Sequence, residues 1–204
     1  MRFPAPWPCG AHTTHKLPAG SPRIGENAPQ MKAEKDDCMA ILKIARMGHP
    51  VLLGHAEDVS APKSPEIRRL IRDMAETLAD AGGIGLAAPQ VHVPLRLFLW
   101  RDGPELRILM NPRITPIGTR TARAWEGCLS IPGLRGEVER ADQVAWQGLD
   151  ERGDPVEGEA QGLPARLLQH ENDHLNGVFY LMRMTDLSRL GFNEELARLP
   201  EEAE

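Results

Sequence analysis

Between residues 170 and 174 the chain reads His-Glu-Asn-Asp-His. On a helix, residues four apart share a face, so His170 and His174 can present both imidazoles to one metal ion. Glu171 then stands beside that ion as a candidate general base. A catalytic metal site usually takes three protein ligands and leaves one position for water, so a third ligand has to be found. The slot ten residues after His170, where some H-E-x-x-H enzymes carry a third histidine, holds Tyr180. Glu194 and Glu195 follow at a spacing that suits a glutamate from a later helix. Cys128 is the remaining candidate, because a thiolate is a good soft ligand for zinc or iron. It lies in Trp125-Glu-Gly-Cys-Leu-Ser-Ile-Pro132, where glycine and proline suggest a tight turn in an extended run. A further element is Gly83-Ile-Gly-Leu-Ala-Ala-Pro-Gln90. Its start matches the dinucleotide fingerprint G-x-G-x-x-A, but that fingerprint must follow a strand and open a helix. Here a helical pattern precedes it and Pro89 cuts short any helix that follows. Its glycines instead let backbone approach a ligand closely, and the Gln90 amide can offer an N–H to an oxyanion. Read singly, each element has an ordinary structural explanation: histidines on a solvated helix face, a small buried cysteine, a surface amide.

Several elements must position these groups. Ser64 is a good N-cap, Pro65 suits the first helical position and Glu66 the first turn. Ile67, Leu70, Ile71, Met74 and Leu78 repeat at helical spacing, which predicts a helix over 64–81 that Gly82 and Gly83 stop. A second helix, opened by Pro164 and running over 164–175, carries the two histidines. A third is predicted over 186–199, with Gly191 as its weak point and Pro200 as its stop. Strand-like runs cover 95–100, 106–110 and 138–149, with Asp102-Gly103 as a hairpin turn and 149–155 as another. Strands mixed with helices, without regular alternation, predict an α+β fold.

Taken together and in this order, G-I-G-L-A-A-P-Q, E-G-C-L-S and Q-H-E-N-D-H resemble the three signature motifs of the peptide deformylase family. The resemblance runs from about residue 41 to 184, and Ile44-Ala-Arg-Met-Gly-His-Pro-Val-Leu also matches the family's usual N-terminal stretch. It implies antiparallel β-sheets packed around a central helix that carries the H-E-x-x-H motif. It implies a metal-dependent amide hydrolase that removes the formyl group from formylmethionine at the N-terminus of new polypeptides. By this similarity Cys128, His170 and His174 bind one divalent metal ion, commonly Fe2+, with Zn2+, Ni2+ or Co2+ tolerated. Glu171, Gln90, Leu129 and Gly85 line the reacting centre. Ile84, Leu163 and Leu167 form an apolar pocket for the methionine side chain, with Ala124 or Trp125 at its rim. Arg135, in the 133–136 loop, touches peptide backbone beyond it. An ion pair between Glu126 and Arg140 would support the Cys128 segment. The rival reading is a zinc endopeptidase that uses Glu194 or Glu195; a metal- or peptide-binding module is a third.

Composition bounds the remaining questions. The chain has 204 residues, 41% apolar and 26% charged, which is an ordinary globular balance and enough for one core. A net charge of −5 argues against phosphate-driven nucleic-acid binding, and 4% aromatics against base-stacking platforms. The three cysteines rule out a disulfide scaffold and fit a reducing compartment. No apolar run is long enough for a membrane helix. Residues 1–38 are rich in scattered proline and lack periodicity, as in a disordered leader or a mis-called start before Met39; residues 39–204 form the catalytic domain. The expected location is the bacterial cytoplasm, or an organelle if the leader is a real transit segment. His12, His15, His49, His55 and His92 lack ligand spacing. Glu194, Glu195, Glu201, Glu202 and Glu204 make an acidic end that ribosomal RNA would repel, so any ribosome contact is transient.

Overall fold

A computed structural model describes residues 40–198. The expectations for the leader, for a start at Met39, for His12 and His15, and for the residues after 198 lie outside these described residues.

The first helix, α1 (Pro65–Asp80), begins as its local signals dictate: the Ser64 hydroxyl oxygen accepts a hydrogen bond from the Ile67 N–H at 3.3 Å. Its buried face packs Ile67, Ile71, Met74 and Leu78 against Leu86, Leu97, Leu99 and Met110. Strands β1 (Gly85–Ala87), β2 (Leu97–Asp102), β3 (Glu105–Pro116), β4 (Thr121–Cys128), β5 (Ile131–Ala141), β6 (Gln143–Leu149) and β7 (Pro155–Gln161) follow. Helix α2 (Leu163–Leu175), strand β8 (Leu190–Phe192) and a single helical turn, α3 (Asn193–Leu196), complete the order. All strand pairs are antiparallel. They form a five-stranded sheet in the order β1-β2-β3-β6-β7 and a three-stranded sheet in the order β4-β5-β8.

Strand β2 shows why its sequence reads Leu-Phe-Leu-Trp rather than alternating. Leu97 and Leu99 enter the core beneath α1, while Phe98 and Trp100 enter a second core with Leu167, Leu168 and Leu175 of α2. A strand covered on both faces is apolar throughout. Helix α2 packs against β1, β2, β3, β5 and β7, so the α+β architecture with sheets around a central motif-bearing helix is the one observed. Gly177 ends α2 with φ +71°, and a side chain there would collide with the Leu53 carbonyl oxygen, so only glycine fits.

Two expected elements differ. The run over 138–149 is two strands, because the chain leaves the smaller sheet at Ala141 and enters the larger at Gln143. The predicted helix over 186–199 is a 3₁₀ turn at Leu187–Arg189, then β8, then α3. Backbone pairing of Leu190, Gly191 and Phe192 with Gly136, Arg135 and Leu134 replaces the helical bonds. Gly191, the weak point of the pattern, is where a helix is easiest to override.

Candidate metal and catalytic centre

Helix α2 places His170 and His174 one turn apart, their rings edge to face with centroids 5.1 Å apart. The end of β4 brings Cys128 to them, with its Sγ 3.2 Å from His174 Nε2. Among the described residues, Cys128, His170 and His174 are the group able to hold a metal ion, their donor atoms all lying within 4.8 Å of one another. Glu194 and Glu195 sit exposed on α3, outside that group; Tyr180, buried in a 3₁₀ turn, lies outside it too. The donor set of one sulfur and two imidazole nitrogens suits zinc, iron, cobalt or nickel rather than calcium or magnesium. His170 meets a further requirement of such sites. Its Nδ1 is 2.9 Å from Glu126 Oε2, which fixes the ring and leaves Nε2 to face the sulfur.

Glu126 anchors a buried ionic network. Arg140 donates to both of its oxygens, at 2.7 and 2.9 Å, and Arg166 donates at 2.7 Å. Arg140 also donates to Asp173 at 2.7 Å, and Arg183 donates to the other oxygen of Asp173 at 2.7 Å. The Glu126–Arg140 pair is therefore present, but as part of a network that ties β4 and β5 to α2. The sequence reading did not include Arg166, Asp173 or Arg183. Arg166 and Asp173 lie four residues before and three after His170, on its own helix face, which is the signal that finds them.

This network sets the local charge. Burial would raise the Glu126 carboxyl, but hydrogen bonds from Arg140 and His170 overcome it and hold it at about 2. Burial would lower His170, but its bonds with Cys128 and Glu126 push it up to about 10. His174 is driven well below its usual value by burial and by the positive charges of His170 and Arg140. Burial raises Glu171 to about 7, the negative Glu126 adding to it and His170 and Arg140 opposing it.

These groups face a cleft of about 610 Å³. Gly85, Gln90, Cys128, Leu129, His170 and Glu171 line it, as do Ile84, Leu163, Leu167, Trp125 and Arg135. Ala124 does not. Ile84 and Leu163 are apolar yet exposed at 50% and 65%, whereas Leu167 is buried. The 133–136 stretch, expected as a loop, belongs to β5. Gly85 is glycine for a steric reason: a Cβ there would overlap Glu171 Oε1. Glu171 is 3% exposed and its Oε2 has no hydrogen-bond partner among the described residues. Gln90 accepts a bond from the Ala87 N–H at 2.8 Å and aims its amide nitrogen at Ser130 Oγ, 3.2 Å, and Cys128 Sγ, 3.5 Å. His49 and His92 meet edge to face at 4.6 Å, exposed and apart from the metal-capable group.

Known proteins resemble this chain in sequence and in fold. The sequence profile of polypeptide deformylase matches residues 41–190. "Peptide deformylase 1" of Bordetella pertussis is 45% identical over 163 residues, 75% of this chain and 93% of that one. "Peptide deformylase 1" of Prochlorococcus marinus is 43% identical over 169 residues, 78% of this chain and 88% of that one. A Synechococcus elongatus peptide deformylase in complex with actinonin superposes with a TM-score of 0.71 at 38% identity, covering 81% of this chain and 90% of that one. A Met-Ala-Ser-bound class I type b peptide deformylase from Acinetobacter baumannii superposes at 0.67 and 36% identity, covering 71% of this chain and 99% of that one. The profile spans most of the chain and all three motifs that build the cleft, and the agreement holds in both sequence and fold: this chain belongs to the peptide deformylase family.

Proposed function

We propose that the chain hydrolyses the formyl amide of N-formylmethionyl peptides and nascent chains, releasing formate. One observation carries this reading. A buried carboxylate, Glu171, with one oxygen unpartnered among the described residues, lies in the same cleft as a sulfur–imidazole–imidazole donor set. Cys128, His170 and His174 would hold one divalent ion, with iron(II) as the native one. Such an ion supplies Lewis acidity, bringing the pKa of water from 15.7 to about 7.

The chain's own residues do the rest. Glu171 Oε2 takes the proton of the attacking water. As the formyl carbon becomes tetrahedral, the Gln90 side-chain amide and the Leu129 backbone N–H donate to its developing oxyanion. Glu171 then gives the proton to the departing amine, leaving a free peptide N-terminus. β1 and β4 are each the outer strand of their sheet, and both border the cleft. An extended peptide can therefore add its backbone to these edges while its first side chain enters the pocket of Ile84, Leu163 and Leu167. The pocket prefers methionine over smaller apolar residues by about 1–3 kcal/mol per methylene, which is preference rather than exclusion. A formylated substrate of this kind supports a setting in the bacterial cytoplasm, or in an organelle if the leader is a real transit segment, and the acidic end supports no more than a transient ribosome contact.

Product analysis on formyl-Met-Ala-Ser tests the proposal. Formate and intact Met-Ala-Ser are the expected products. Cleavage between residues with the formyl group retained would overturn it in favour of an endopeptidase.

A further inference from the structure

The segment after Met184 does more than finish the chain. Arg189 lays its guanidinium over the Trp125 ring, 5.1 Å from the centroid, and bonds Glu137 at 3.1 Å. β8 then pairs with β5 over three residues, and α3 folds back so closely that a side chain at Gly191 would lie 2.9 Å from Leu196. This fixed turn delivers Asn193 into the lining of the cleft that holds Glu171 and Arg135. The Asn193 side chain is not spent on the fold. The cap of α3 is Phe192, and no hydrogen bond holds the Asn193 carboxamide among the described residues.

We propose that Asn193 is a specificity-determining residue that binds the substrate backbone beyond formylmethionine. The inference rests on the deformylase reading. Sheet order places β5 between β8 and β4, the strand that ends at Cys128. The formyl group and first side chain occupy the end built by α2, β1 and Cys128, whereas Asn193 lines the same cleft from beyond β5, so it meets substrate past the first residue. A carboxamide presents two donors and an acceptor, which matches a peptide group whatever side chain follows. In the β5–β8 register Arg135 stands opposite Gly191, so a cationic side chain shares that end of the cleft.

The test compares kcat and KM for formyl-Met-Ala-Ser and for formyl-Met amide, in the unaltered protein and in Asn193→Ala. Loss of one hydrogen bond lowers the tripeptide-to-amide ratio of kcat/KM by about three- to tenfold, through the tripeptide's KM. Arg189→Met, which frees the turn from Trp125 and Glu137, lowers the same ratio. An unchanged ratio in Asn193→Ala, or equal loss on both substrates, overturns the assignment. Failure of the unaltered protein to release formate from either substrate overturns the deformylase reading instead.

Discussion

Replacing Gly85 with alanine puts a methyl group where the Glu171 carboxylate stands. Its Cβ would overlap Glu171 Oε1 and lie 2.9 Å from Leu167 Cδ1. Both neighbours are buried, Glu171 at 3% and Leu167 at 7% exposed, so the added methyl displaces them from their present positions at the cleft. Overpacking of this kind costs about 1–3 kcal/mol. In a domain of this size each kcal/mol lowers Tm by roughly 2–4 °C, so the loss is readable by thermal melting. The larger effect falls on catalysis. A carboxylate displaced by about 1 Å loses roughly 10²-fold in rate. Metal content stays at the level of the unaltered protein, because the nearest neighbours of the added methyl are Glu171 and Leu167 rather than the three donors. The assay is kcat for formate release, with metal quantified in the same preparation. Gly54→Ala is the control: among the described residues, and apart from its chain neighbours, no atom lies within 4 Å of a Cβ there, so activity stays unchanged and stability stays within about 0.5 kcal/mol. A Gly85→Ala enzyme with full metal and full kcat would refute the steric argument, and one that lost its metal would show that Gly85 guards the ligands instead.

Arg140→Met removes one cation from between two buried carboxylates while Arg166 and Arg183 remain. It should destabilise the protein by about 3 kcal/mol in urea unfolding, because buried charge is left under-compensated. A loss below about 1 kcal/mol would mean that the network contributes little. Acid stability follows from Glu126, whose folded pKa of about 2 lies below the ordinary 4.5. Its contribution is complete above pH 4.5 and is lost as pH falls from 4.5 towards 2, a total of about 3 kcal/mol. Melting curves across that window should therefore fall steeply for the unaltered protein and less steeply for Glu126→Gln; equal slopes would contradict the assignment.

How far the sequence could be read depended on where each signal resides. Helix α1 was legible because Ser64, Pro65 and its apolar face act within one helix. The 186–199 segment was not, since Leu190 to Phe192 answer to β5, a partner more than fifty residues earlier. β7 was missed because it alternates Val156, Gly158 and Ala160 with exposed residues, a weak pattern for a strand. The three chemical motifs were readable as local strings. Their meeting depends on α2 lying between two sheets, and no single string shows that. Arg140 and Arg166 read as surface cations by type, yet both are buried by partners from β4 and α2. Asn193 had no motif at all; only the β8–α3 turn brings it to the cleft.

In the proposed reaction Glu171 moves the proton while Cys128, His170 and His174 hold the metal. Formate release from formyl-Met-Ala-Ser, measured with bound metal in the same oxygen-free sample, tests it most directly, because oxidation of Cys128 would remove a ligand. About one equivalent of metal is expected in both the unaltered protein and Glu171→Gln, with turnover at least about 10²-fold slower in the variant. Stripping the metal from the unaltered protein should abolish release. Near-normal turnover in Glu171→Gln, or release that survives metal removal, would contradict the proposed reaction.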